Sequence, residues 1–239
     1  MKQEYALKEH YKNYLRGVRK LSEASVKHYV GGLSAITKIL QEKGKIKDSI
    51  YEINGLQELG VVKDFLRNDA DFLLKDSVGH NMYSAALNNY IRFAQGDDFF
   101  TATYSFSDLD KPVEASEPQI VEESRYKRSS IIKTQSIKAA HFMCEADKNH
   151  VIFTAKCSNK QYMEAHHLIP ITNQKEFEFS LDIYANIVSL CPICHRLLHY
   201  GIEKEKRILL EQLYDDRYIR LCNSGIEISK NGFLELTMG

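Results

Sequence analysis

The sequence contains few cysteines, no long apolar run and no excess of charge of either sign. Its 239 residues include five cysteines, and 32 basic side chains balance 32 acidic ones. An odd, small number of cysteines does not fit the disulfide framework of a small secreted domain. No apolar run approaches the ~20 residues that a membrane-spanning helix needs, and the stretch MKQEYALKEHYKNYLRG lacks the apolar core of a secretory signal. We therefore expect a cytoplasmic protein with reduced cysteines and no membrane partner.

The zero net charge gives no argument for a polyanionic partner, but the local distribution of charge is uneven. Residues 1–47 carry 11 Lys and Arg against four Glu and no Asp. Such basic segments are compatible with phosphate contact and equally with solvated helix faces. A second basic patch precedes a region rich in Cys and His, and consists of Arg125, Lys127, Arg128, Lys133 and Lys138.

The first hundred residues follow a helical periodicity. In LSEASVKHYVGGLSAITKILQEKG, Ser22 is a plausible N-cap and Gly44 a stop, while Gly31 and Gly32 mark a kink or a close helix contact. Two shorter helices are predicted in EYALKEHYKNYLRG and GLQELGVVKDFLRN. A longer helix is predicted from one apolar face, formed by Met82, Tyr83, Ala86, Leu87, Tyr90, Ile91 and Ala94.

These patterns predict two domains and an α+β fold. Residues 1–97 form a bundle of four or five helices, which loosely resembles the helical domains of tyrosine recombinases and domains at the front of restriction proteins. That resemblance implies DNA recognition, with a generic helical scaffold as the alternative. Periodicity fades over residues 98–129, which we expect to be a linker. Residues 130–239 form the second domain, and its last part reads as an amphipathic helix followed by a short one.

The Cys and His residues are concentrated in this second domain. Six of the nine His and four of the five Cys lie between His141 and His199. Cys191 and Cys194 have the two-residue gap that lets both thiolates bind one zinc ion. Two further ligands must come from elsewhere, and Cys144 supplies one of them.

The fourth zinc ligand is either His150 or Asp147. We favour His150, because structural zinc sites prefer nitrogen and sulfur donors. Cys157 is a further candidate, made less suitable by its place in a turn region. The predicted structural site is therefore Cys144, His150, Cys191 and Cys194.

Four other histidines fall in a pattern that suits a second metal. His195 and His199 are four residues apart, so on a helix they project from one face and can bind the same ion. His166 and His167 are adjacent in a segment that alternates like a strand, so they should point to opposite faces. One of the two can bind the metal while the other meets the substrate.

The segments EAHH, AN and CPICHRLLH together resemble the HNH nuclease motif of the ββα-metal fold. The resemblance covers about residues 140–201 and is greatest to restriction-type members that contain a structural zinc; the histidine series also matches colicin-type nucleases. The sequence departs from many zinc-containing members at Asp147, where they have a cysteine. The expected architecture is thus a helical bundle followed by an HNH domain.

The resemblance implies a role for each site residue. His167 is the general base, and Asn186 fixes the loop and orients the His167 ring. Glu164 lies on the same strand face as His166, and we expect it to support a metal ligand. Besides the structural zinc, we expect one catalytic divalent ion, for which Mg²⁺, Mn²⁺, Ni²⁺, Co²⁺ and Zn²⁺ are not distinguishable. Its ligands are His166, His195 and His199.

The predicted function is metal-dependent hydrolysis of phosphodiester bonds in double-stranded DNA. A restriction endonuclease that is sequence-specific or dependent on modified cytosine is the leading hypothesis. The alternatives are a homing-type or structure-specific nickase and an inactive, zinc-stabilised DNA-binding protein. Because one such site cuts one strand, we expect a homodimer.

Overall fold

The computed structural model describes residues 5–115 and 129–238, and these confirm the α+β prediction. The first part is helical, with a 3₁₀ turn at Ile50–Glu52 and another at Phe106–Asp108. Its helices are α1 (Ala6–Gly17), α2 (Glu23–Glu42), α3 (Leu56–Arg67), α4 (Ala70–Val78), α5 (Met82–Gln95) and the short α6 (Asp98–Thr101).

Helix α2 begins and ends where the sequence predicts. The side chain of Ser22 accepts a hydrogen bond from the backbone N–H of Ser25, and Gly44 adopts a φ of 64°, which a side chain would disfavour. Gly32 marks a close helix contact rather than a break, because a Cβ there would lie 2.7 Å from the Cβ of Ala86 on α5. The two helices therefore pack closely at this point.

The core of the helical part is aromatic. Tyr11, Tyr14, Tyr90 and Phe93 are fully buried and contact one another through their rings. The buried carboxylate of Asp98 accepts hydrogen bonds from the Tyr14 hydroxyl and from Arg92. A buried carboxylate needs such partners to offset its desolvation, so these contacts fix the end of α5 against α1.

The second part contains α7 (Ser130–Ala139), four short strands and three C-terminal helices. Strands β1 (Thr154–Ala155) and β2 (Lys160–Gln161) pair antiparallel. Strands β3 (Glu164–His167) and β4 (Ile187–Leu190) also pair antiparallel, with His166 opposite Val188, and a 3₁₀ turn at Ile171–Glu176 lies between them. The remaining helices are α8 (Pro192–Tyr200), α9 (Glu203–Asn223) and α10 (Lys230–Met238).

The two parts have separate cores that meet at β4. Ile187 and Tyr184 are buried with the helical cluster, whereas Val188 and Leu190 belong to the second cluster. Alternation along the strand explains this division, since successive side chains point to opposite faces. Strand β4 therefore lies between the helical part and α8.

The described half of the predicted linker packs against both parts. Phe99 is buried in the first cluster and Val113 in the second. The buried carboxylate of Asp110 forms a bidentate ion pair with Arg220 of α9. Residues 116–128 of that linker lie outside the described residues. No helix within residues 5–115 and 129–238 is both long and apolar enough to cross a membrane.

Candidate active site and metal centres

Three cysteines and one histidine converge at the start of α8. Cys191 is the N-cap of α8, and Cys194 lies in its first turn. The Nδ1 atom of His150 is 3.5 Å from the Cys191 sulfur and 3.4 Å from the Cys194 sulfur. With Cys144, these residues place one potential ligand atom each within 4.8 Å of one another. This is the donor set that the sequence predicts for zinc.

His150, and not the rival Asp147, places a side-chain donor atom against the sulfurs. One carboxylate oxygen of Asp147 accepts a hydrogen bond of 2.9 Å from the Asn149 N–H, and the other lies 3.7 Å from the His150 Nε2. The carboxylate therefore faces the outer nitrogen of the ring, whereas Nδ1 faces the sulfurs. Cys157 is exposed, in the turn between β1 and β2.

The chemistry of the donor set fits a cation. Burial, together with the neighbouring Cys144, raises the pKa of the Cys194 thiol. Such a thiol resists ionisation unless a positive charge is placed beside it, and zinc would provide that charge. Three sulfur donors and one nitrogen donor leave no open position in a tetrahedral shell, as in structural zinc sites.

A second cluster consists of three imidazoles. His166 projects from β3, and His195 and His199 project from one face of α8. The ring centroids are 4.8 to 5.1 Å apart, and one nitrogen of each ring lies within 4.8 Å of the others. Burial, together with the neighbouring His195 and His199, lowers the pKa of His166 to about 3. His166 is therefore neutral at physiological pH, which is the form that binds metal.

Glu164 supports this cluster from two residues earlier on β3. Its carboxylate accepts a hydrogen bond from Nδ1 of His195, and its other oxygen accepts one of 3.2 Å from the Tyr162 hydroxyl. The bond at Nδ1 leaves Nε2 of His195 as the nitrogen available to an ion. Carboxylate–histidine pairs of this kind orient metal ligands and raise their basicity.

His167 points to the opposite face of β3, as the alternation along the strand predicts. Its side chain is only 8% exposed, and its Nε2 lies 2.9 Å from a carboxylate oxygen of Asp182. Asp182 is not among the site residues predicted from the sequence. It lies 15 residues from His167 in a loop, and no local spacing relates the two.

Asn186 holds the backbone rather than the His167 ring. It is fully buried, and its side-chain oxygen accepts from the Ile169 N–H while its NH₂ group donates to the carbonyls of Ile169 and Leu181. These bonds fix the two ends of the connection between β3 and β4, which is the loop-fixing part of the role expected for Asn186. The expected bond to the His167 ring is replaced by the one to Asp182.

A cleft of about 460 Å³ opens beside His195 and His199. Its walls include two basic side chains, Lys133 and Arg196, and Arg196 stacks over the Tyr200 ring at 5.7 Å from its centroid. Lys138, from the same predicted basic patch, pairs with Asp97, and Arg125, Lys127 and Arg128 lie outside the described residues. A basic, aromatic-lined cleft next to a metal site suits a phosphate backbone.

Comparison with known proteins identifies the region that contains the three imidazoles, His167, Asn186 and the pair Cys191 and Cys194. Residues 154–201 match the sequence model of a family described as HNH endonuclease. Over 104 residues the chain is 35% identical to the type IV methyl-directed restriction enzyme EcoKMcrA of Escherichia coli strain K12. That match covers 44% of this chain and 33% of the relative, so it spans about a third of the relative's length.

Proposed function

From the HNH endonuclease domain that residues 154–201 form, we propose that this protein is a metal-dependent DNA endonuclease of restriction type. The observation that supports the proposal best is the group of three imidazoles, His166, His195 and His199, with His167 on the adjoining position of the same strand. Three imidazole donors that leave further positions open are typical of a catalytic metal and not of a structural one.

The residues of this cluster fit a divalent cation. His166 is neutral, and Glu164 fixes the ring of His195. A cation held by the three imidazoles would offset the charge that develops on the phosphate oxygens and on the leaving oxygen. The Cys-lined cluster would hold zinc in a structural role, because a ββα unit is too small to fold on its apolar core alone.

In the proposed reaction, His167 is the general base. Water attacks the phosphorus of the scissile phosphodiester, and one of its protons passes to the His167 imidazole. A bond forms between the water oxygen and phosphorus, the bond from phosphorus to the 3′ oxygen breaks, and that oxygen takes a proton from solvent. The products are a 5′ phosphate and a 3′ hydroxyl.

The cleft beside the imidazoles would bind the substrate strand. Lys133 and Arg196 can neutralise phosphates on either side of the cut, and such contacts supply affinity without reading sequence. Each such contact should also make binding more dependent on salt. We expect Arg196→Ala to weaken DNA binding and to reduce the salt slope by about 1. Lys204→Ala, at an exposed position of α9, is the matched control.

The substrate preference is proposed from the relative, whose name describes it as methyl-directed. We infer that base modification directs cutting by this chain, with cytosine as the modified base and unmodified sequence-specific cutting as the alternative. Because one active site hydrolyses one strand, we further propose that a homodimer makes the double-strand break. Sedimentation of the protein on a DNA duplex tests the dimer independently of cleavage.

A cleavage assay tests the proposed function. Unmodified, 5-methylcytosine and 5-hydroxymethylcytosine duplexes are incubated with protein stripped by chelation and reloaded with a single divalent metal. We expect metal-dependent cutting that His199→Ala and His167→Ala each reduce by at least about 10²-fold. His28→Ala, an exposed histidine of α2, is the control. Cutting that persists in the His199 variant would place the active site elsewhere. Binding without cutting would favour the inactive DNA-binding alternative.

A further inference from the structure

We propose that Asp182 is the residue that positions His167 for its role as general base. This inference rests on the proposed function, since it assumes that His167 is the general base. It adds a positioning residue that the HNH motif segments EAHH, AN and CPICHRLLH do not contain. The geometry that points to it is the bond of 2.9 Å between the His167 Nε2 and one carboxylate oxygen of Asp182.

The direction of this bond determines which nitrogen is free. An ionised carboxylate only accepts hydrogen bonds, so Nε2 of a neutral His167 must carry the proton and donate it to Asp182. The lone pair then lies on Nδ1, and that nitrogen is the one able to accept a proton from water. Without the carboxylate, the ring could adopt either tautomer and rotate about its χ angles. Asp182 would therefore fix both the tautomer and the orientation.

Asp182 is itself fixed by contacts with three other residues. Its second carboxylate oxygen accepts a bond of 2.7 Å from the Ser129 N–H, and its own N–H donates to the Ser180 hydroxyl at 3.1 Å. Its carbonyl oxygen lies 3.3 Å from the Nε2 of His10. The side chain is only 12% exposed, so the carboxylate has little freedom to turn away from the ring. A buried carboxylate with two hydrogen-bond donors stays in place.

Two of these contacts come from outside the HNH segment. His10 belongs to α1, and Ser129 is the N-cap of α7, whereas the family match begins at residue 154. Asp182 is therefore held partly by residues that precede the family match, its carboxylate by the N-cap of α7 and its backbone carbonyl by α1. A simple structural role for this buried pair is the competing explanation, and it makes a different prediction for a double variant.

The test compares Asp182→Asn in two backgrounds, the wild type and His167→Ala. Asparagine has nearly the same shape, but its NH₂ group can donate to the ring and favour the wrong tautomer. We expect kcat to fall by roughly 10²- to 10⁴-fold in the wild-type background, while KM and the affinity for the catalytic metal change less than about twofold. In the His167→Ala background, the same substitution should cause no further loss, because Asp182 then has no base to position.

Asp98→Asn is the matched control, since Asp98 is also a buried carboxylate with hydrogen-bond partners but lies in the helical cluster. It should lower the melting temperature and leave kcat near the wild-type value. An equal loss of kcat from Asp182→Asn in both backgrounds would assign Asp182 a structural role and overturn the inference. Unchanged cutting by Asp182→Asn would overturn it as well, with the nuclease itself intact. A wrong proposed function gives a different result, in which His199→Ala cuts DNA as well as the wild type does.

Discussion

The carboxylate of Glu164 accepts a hydrogen bond from Nδ1 of His195, across the gap between β3 and α8. The bond directs the other nitrogen of the ring toward the space shared with His166 and His199. Glu164 thus ties the strand that supplies one predicted metal ligand to the helix that supplies two. This contact, together with the surrounding fold, brings the three predicted metal ligands together.

Replacing Glu164 with Gln should weaken binding of the catalytic metal by about 10- to 100-fold, because the amide orients His195 less firmly and adds no negative charge. Titration calorimetry with Mn²⁺ or Co²⁺ on the chelated, zinc-containing protein measures this. Glu235→Gln, at an exposed position of α10, should bind metal as the wild type does. Equal affinities for the wild type and the Glu164 variant would mean that the pair has no part in metal binding.

The zinc content of variant proteins tests which residues are zinc ligands. His150→Ala and Cys191→Ser should each lose the zinc and with it much of the stability of the second domain, since structural zinc contributes on the order of 10 kcal/mol in small domains. Asp147→Asn and Cys157→Ser should retain one zinc per chain. Elemental analysis with thermal unfolding gives both quantities. Loss of zinc from the Asp147 variant would reverse the assignment of the fourth ligand.

Arg217 is the main buried cation of α9. It is 6% exposed, donates to the carbonyl of Tyr184 at 2.8 Å and pairs with Glu145, which in turn accepts from the Ser189 N–H. Burial lowers the pKa of its guanidinium group, although the neighbouring Glu145 opposes that shift. The two residues therefore tie α9 to β4 and to the chain beside Cys144, one of the predicted zinc ligands.

Arg217→Ala should destabilise the protein by about 3–5 kcal/mol, because it leaves the carboxylate of Glu145 without its partner. Arg207→Ala removes an exposed pair with Glu211 from the same helix and should cost less than about 1 kcal/mol. Urea unfolding monitored by circular dichroism compares the two variants. Similar losses from both would show that the buried ion pair contributes little.

His10 should make the stability sensitive to mild acid. It is 1% exposed, and burial lowers its pKa from 6.5 to about 4, although the nearby Asp182 opposes the shift. Between these two values the unfolded chain binds a proton that the folded chain does not. The contribution of neutral His10 to stability is therefore complete above pH 6.5 and is lost as the pH falls toward 4.

From pH 7 to pH 5 this loss amounts to about 2 kcal/mol. His10→Phe keeps an aromatic ring against Tyr184 but has no titrating group, so its stability should fall less over the same interval. Urea unfolding at both pH values measures the difference. His28→Phe, at an exposed site, should keep the wild-type dependence. A His10 variant with the same pH dependence as the wild type would contradict the prediction.

The local sequence determined the secondary-structure elements and which residues lie together on one helix. Ser22 and Gly44 mark the ends of α2 because capping depends on neighbouring backbone groups. The spacing of His195 and His199 puts both on one face of a helix, and the pair Cys191 and Cys194 shares one helix start. The residues of each such pair lie within about one helical turn of each other, where backbone geometry alone fixes their distance.

The tertiary structure decided which distant groups meet. The partner of His167 is Asp182 and not Asn186, and the side chain that joins the three clustered cysteines is His150 and not Asp147. The segment from Asp98 to Ala115 packs against both cores although its sequence reads as a linker. Such contacts depend on how loops close and on which polar groups must find partners once they are buried. Those conditions arise only when the whole chain is folded, so no local sequence pattern predicts these contacts.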